Sequence, residues 1–498
     1  MNLSVSVIVI TILASVLLSA VARVGRQMNF EQWSVGNRRF GTLFVFLLMA
    51  GESFTTFTVL GASGFAYGHG GAVYYILAYE CIAYTLSYWL LPLIWRYGTK
   101  HQLVSLPDFL RKKYDNRALS VLAAVVGIIA LIPYIVLQLK GMGIIIGTAS
   151  YGALSPTVGV LLGAVAIGLN VLLSGVHGSA WVSSVKDVLI LCLVVFLGLF
   201  LPTHFYGSIP AMFSSLDSSR PGFLAISSSG FSAVWFSSTI ILSALGFFMW
   251  PHVFAATFTS GGVAILRRNA CLLPIYSLLL ALVFLVGFTA VGVLPELKGS
   301  KADLSLFALS MQALPSWMIA VLGATGALCA IVPGSMLVLT TAILLSRNVL
   351  ATAYPRFADD HSGRLAKALV PIIVVVSTVF ALSGNQTVVA LLLMGYNFVA
   401  QLAPSLFASL LRRNPGTARG AIAGIGVGTI SVALMTFANA HLSTLLRQLP
   451  AGVRDVNVGI IALLLNVATF AAVSVAERRM KVPVKCCESA DVVQNGLS

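Results

Sequence analysis

Apolar stretches close to 20 residues long recur through the whole chain, and they constrain its fold more than any other feature. A helix needs about 20 predominantly apolar residues to cross a bilayer. Backbone polar groups inside hydrocarbon find no water, so each such stretch must satisfy them internally, as a helix does. Barrel strands would instead show short segments of alternating polarity. Of the 498 residues, 58% are hydrophobic and only 9% are charged, whereas soluble domains carry about 25% charged residues. The chain therefore reads as an all-α integral membrane protein in contact with membrane lipids.

Thirteen spans are expected, at about 3–21, 41–67, 72–95, 118–148, 156–175, 185–204, 231–256, 270–293, 317–346, 368–384, 386–411, 420–439 and 456–475. The first lacks a basic n-region and a cleavage site followed by polar sequence, so it reads as a retained helix. With the N-terminus outside, 24 of the 30 Lys and Arg fall on the cytoplasmic side, Lys186 among them, and five fall outside. That asymmetry predicts an N-out, C-in topology.

The net charge of +15 raises the question of nucleic acid. The basic residues sit in short loops with no stripe of interleaved aromatics, so nucleic acid is not an expected partner. Of the six cysteines, Cys81, Cys192, Cys271 and Cys329 lie in apolar segments and Cys486 and Cys487 in the tail, without metal or disulfide spacing. The seven histidines are scattered, so no metal site is expected, and the clustered acids and histidines of a membrane enzyme are missing.

Two spans are broken. Residues 47–57, Leu-Leu-Met-Ala-Gly-Glu-Ser-Phe-Thr-Thr-Phe, place Gly51, Glu52 and hydroxyls inside an apolar segment. A carboxylate at membrane depth is costly and usually faces a cavity; its other reading is a neutral acid bonded to a neighbouring helix. Five spans later, Leu245-Gly-Phe-Phe-Met-Trp-Pro-His252 interrupts the seventh span, where Pro251 removes a backbone donor. Paired interruptions in consecutive five-span halves point to an inverted-repeat transporter with its site near the midplane. The organisation expected is a first helix and basic inner loop (1–40), a first repeat (41–204), an outer loop (205–230), a second repeat (231–411), two terminal helices (412–475) and a cytoplasmic tail (476–498). Ser214–Ser219 reads as mobile outer loop.

Candidate substrate contacts are Glu52, Ser53, Thr56, Gln138, Lys140, Phe247, Trp250 and Tyr396. Lys140, inside the fourth span, would attract an anion, or would snorkel or pair with Glu80 or Glu52. Gln138 equally suits a helix–helix hydrogen bond. Glu80 reads first as structural. His252 could titrate, but Pro-His also suits a structural turn. Tyr396 and Gln401 suit either a gate or core packing.

These pieces, in order, resemble the sodium:solute symporter family. They are Leu60-Gly-Ala-Ser-Gly64 after the first break, Leu106-Pro-Asp-Phe-Leu-Arg-Lys-Lys-Tyr114, Pro133-Tyr-Ile-Val-Leu-Gln-Leu-Lys-Gly-Met142, Ser184-Val-Lys-Asp187, Trp250-Pro-His252 and the segment Ser335–Asn348. The resemblance implies a LeuT-type fold of 5+5 inverted repeats with extra terminal helices, in a plasma membrane of the bacterial inner-membrane type. It implies no cofactor, and a coupling ion, Na+ or H+, carried with the solute. Gln-Leu-Lys-Gly-Met and Leu-Ser-Arg-Asn look most like the branch that takes up short monocarboxylates such as lactate, pyruvate and propionate. Symport of an amino acid, vitamin or sugar acid is the alternative, as is a sensor without its output domain.

The resemblance also implies a sodium site made of carbonyls in the first broken helix, here Gly51 and Phe54, and a hydroxyl pair on the eighth core helix. That pair would fall at Ala330, Ile331 and Val332, none of which has a side-chain oxygen. Glu52 would then be a proton-coupling candidate. Asp187, at the start of the fifth core helix, would lie on the ion-exit path or be an exposed helix-start acid.

Overall fold

Helix Ser316–Ile343 forms the axis of the molecule. Its most apolar stretch is 94% buried, against 33% for Leu3–Arg23, because neighbouring helices rather than lipid cover it. Helices Leu3–Arg23, Arg117–Ala149, Pro156–Ser174, Val176–Tyr206 and His361–Ser383 all pack against it. The computed structural model describes residues 3–51, 53–294, 297–354, 361–384, 386–437 and 454–480. Glu52 therefore lies outside the described residues, as do Cys486, Cys487 and the tail beyond Met480.

Among the described residues, eleven helices are long and apolar enough to cross a membrane, or twelve if one bent pair counts as a single span. The sequence expectation of thirteen differs at residues 41–95. There a helical run, Phe57–Lys100, holds 44 residues. At about 1.5 Å per residue it is roughly twice the length a bilayer core of about 30 Å requires. The run turns at Gly70, whose φ of 55° is a left-handed conformation that favours glycine. A Cβ there would collide with the Phe223 carbonyl.

Both expected breaks are present. Helix Thr42–Ala50 stops, and the next helical element is Phe57–Ala62. The second break falls at Trp250, between Ala233–Met249 and Pro251–Thr257, where the axis bends by 54°. Pro251 begins the new helix, where its missing N–H costs nothing.

Two expectations are corrected. Ser214–Ser219 is not loop but part of helix Ile209–Ser219, capped by Ser208, with Pro210 in its first turn and Met212 and Leu216 buried one turn apart. The span expected from 185 begins at Val176, directly after Gly175. Lys186 and Asp187 therefore stand in the body of that helix, 0% and 4% exposed, instead of in an inner loop or at an exposed helix start.

The terminal helices Ala418–Phe437 and Val458–Met480 pack closely on each other. Gln401 joins them to the core. Its Nε2 donates to the Gly459 carbonyl at 3.2 Å, and its own carbonyl accepts from Asn466 Nδ2 at 2.7 Å.

Candidate substrate and cation sites

The first break leaves backbone carbonyls free, and one side chain gathers them. Lys186 Nζ donates to the Phe54 carbonyl at 3.0 Å and to the Gly51 carbonyl at 3.3 Å. It also lies 2.8 Å from Asp187 Oδ1. Asp187 Oδ2 is 2.9 Å from Ser183 Oγ, which is also 2.9 Å from the Leu47 carbonyl. The carbonyls expected to hold a metal cation are thus occupied by an ammonium. Ala330, Ile331 and Val332 are fully buried, and Leu328 and Val332 pack on Val182, next to Ser183. The hydroxyls further along spend their protons within their own helix, Ser335 on Ile331 and Thr341 on Leu337.

The substrate candidates divide into two groups. Ser53 Oγ is 2.9 Å from the Tyr84 hydroxyl, which donates to the Met49 carbonyl at 3.1 Å. Thr56 Oγ1 donates to Gln138 Oε1 at 2.5 Å. The Tyr84 ring meets Phe247 at 5.0 Å, and Tyr79 reaches Phe247 at 6.4 Å and Tyr396 at 5.5 Å. Tyr396 meets Trp250 edge-on at 5.4 Å. Ser53, Thr56, Gln138, Phe247, Trp250 and Tyr396 are therefore brought together between the two breaks, none more than 5% exposed.

Lys140 is not with them. Residues two apart on a helix point about 200° apart, so Gln138 and Lys140 serve different faces. The Lys140 ammonium donates to the Gln386 carbonyl rather than pairing with Glu80. It lines an apolar lateral cavity of about 360 Å³ with Pro133, Val136, Phe380 and Phe398. Glu80 instead accepts from Ser277 Oγ at 3.0 Å. His252 meets the Tyr134 ring edge-on at 5.6 Å and the Trp250 ring at a tilt at 5.7 Å.

Sequence reasoning missed Lys186, Ser183, Tyr79 and Tyr84. Lys186 had a legible signal. A cation cage without its hydroxyls asks for another cation, and the chain has a lysine beside the acid already suspected of ion handling.

Two broken helices in a helical membrane bundle, with freed backbone carbonyls that hold a cation, are the architecture of a secondary transporter. The chain belongs to the sodium:solute symporter family, whose model matches residues 33–428. It is 49% identical to the symporter YhjB of Bacillus subtilis, over 97% of this chain and 98% of that one. It is 27% identical to a monocarboxylate transport permease protein of Rhizobium johnstonii, over 92% of each. The fold matches a Na+-coupled sialic acid symporter solved in a substrate-bound outward-open state, with a TM-score of 0.78 at 14% identity, covering 96% of this chain and 98% of that one. The protein is thus an integral membrane solute:cation symporter with a LeuT-like fold, and not an enzyme.

Proposed function

We propose that this symporter imports a short monocarboxylate, such as lactate or pyruvate, by alternating access around the site between the two breaks. One observation carries the reading. Gln138 is wholly buried, its Oε1 is taken by Thr56, and its Nε2 has no hydrogen-bond partner among the described residues. A buried donor left unmade costs about 1–3 kcal/mol. A carboxylate placed there would accept from it, and a hydrogen bond to a charged group is stronger than one between neutral groups. The tight packing around Trp250 and Tyr396 favours a small solute whose alkyl part lies on aromatic faces. The similarity to a monocarboxylate permease supports the same solute class.

The test is uptake of labelled lactate or pyruvate by the purified protein in liposomes. Gln138→Leu keeps the bulk and removes the donor, and it should raise KM by about tenfold or more, as expected for a hydrogen bond to a charged group. Uptake of neither acid, with uptake of an amino acid or sugar acid instead, would overturn the solute assignment.

A further inference from the structure

An ammonium has three N–H donors, and the Lys186 ammonium has three oxygens around it: the carbonyls of Gly51 and Phe54 and the carboxylate of Asp187. Among the described residues, neither carbonyl accepts a backbone N–H, so the ammonium is what satisfies them. Carbonyls freed where a membrane helix unwinds are suited to hold a monovalent cation. A sodium ion at these oxygens would have to displace the ammonium or stand beside it, and like charges repel strongly away from water. The residues expected to complete a sodium shell, Ala330, Ile331 and Val332, have no side-chain oxygen.

We propose that the Lys186 ammonium is the resident cation of this cage and that it closes the cage to sodium. The proposal rests on the reading of the chain as a cation symporter and does not depend on which solute it carries. The ammonium and the Asp187 carboxylate form a neutral pair that ties Val176–Tyr206 to the first broken helix, which also carries Ser53 and Thr56.

Several groups face the pair. Ser183 comes from its own helix and the Leu47 carbonyl from Thr42–Ala50. Cys329 lies within electrostatic reach from Ser316–Ile343, as does Tyr276 from Val263–Ser277. Beyond Tyr276 stands Glu80, itself buried.

Two measurements test the proposal. Without any solute, the melting temperature of the purified protein is followed as NaCl replaces choline chloride at constant ionic strength; no sodium-specific shift is expected, and a saturable one overturns the proposal. In liposomes, uptake of lactate or pyruvate should ignore an inward sodium gradient, and sodium-driven uptake overturns the proposal. If neither acid moves under any gradient and sodium still causes no shift, the solute assignment fails and the resident ammonium stands.

Discussion

Asn348 donates from Nδ2 to Asp108 Oδ1 at 2.7 Å, joining the helical segment Leu344–Leu350, which continues the central helix, to the short helix Leu106–Tyr114. Ser105 caps that short helix, accepting from Asp108 N at 3.2 Å, and its hydroxyl donates to Asn348 Oδ1 at 3.2 Å. Arg347 closes the group, with Nε 3.4 Å from Asp108 Oδ2. Asn348 thus serves three buried partners at once, since its Nδ2 also lies 3.4 Å from Ser120 Oγ. Replacing it with Ala would leave the Asp108 carboxylate and the Ser105 hydroxyl short of a partner. A loss of about 1–3 kcal/mol is expected, the cost of a buried polar group left unpaired. Denaturant unfolding in detergent measures it, and an unchanged midpoint would show that the network is not structural.

Tyr84 links the first break to the aromatic wall, since its hydroxyl touches Ser53 and its ring touches Phe247. Tyr84→Phe removes the bond to Ser53 and the bond to Met49 while keeping the ring. Ser53→Ala removes the first and also the hydrogen bond between Ser53 and the Glu80 carboxylate. A double-mutant cycle on the KM for solute should therefore give a coupling of about 0.5–1.5 kcal/mol, the usual size for one hydrogen bond. Additive effects would mean that the two hydroxyls act separately.

Gly395 is where the second half lets an aromatic ring approach a backbone. A Cβ there would stand inside van der Waals distance of Trp250 Cη2 and 3.2 Å from the Ala130 carbonyl. Gly395→Ala must move Trp250 away from Tyr396. Overpacking of this kind costs about 1–3 kcal/mol, and here the displaced ring also belongs to the candidate site. Uptake should fall more than stability does. Stability falling with normal uptake would remove Trp250 from the site.

The two breaks were legible because each is local backbone chemistry: Gly51 among hydroxyls, and Pro251 after Gly246. The expectation that Ser53, Thr56, Gln138, Phe247, Trp250 and Tyr396 share a site came from pairing those breaks. What sequence could not supply was azimuth. Lys140 and Gln138 share a helix and a depth, yet their faces differ, and only packing decides which face meets the cavity. Lys186 was missed for a different reason. Hydropathy falls across Val176–Ser184, so the span appeared to begin at 185, and charge counting then assigned the lysine to a loop. Its burial is stable only because three oxygens from two helices surround it, and that pairing is tertiary.

Asp303, in the short helix Gly299–Leu304 outside the membrane-spanning segments, carries the clearest pH signature. It is 3% exposed. Burial pushes its carboxyl up from 3.8 to about 6, partly offset by the Val388 N–H that it accepts at 3.1 Å and by the nearby Lys140. The folded protein therefore holds this proton more tightly than the unfolded chain does. The stability it contributes is fully present below pH of about 4 and is lost as pH rises through about 6. A rise of roughly two units corresponds to about 3 kcal/mol at most. Asp303→Asn still accepts from Val388 but does not titrate. Wild-type melting temperature should fall between about pH 4 and pH 7, and the variant should lack that component. The difference between the two curves isolates Asp303 from every other titrating group, and parallel curves would show that its burial carries no such cost.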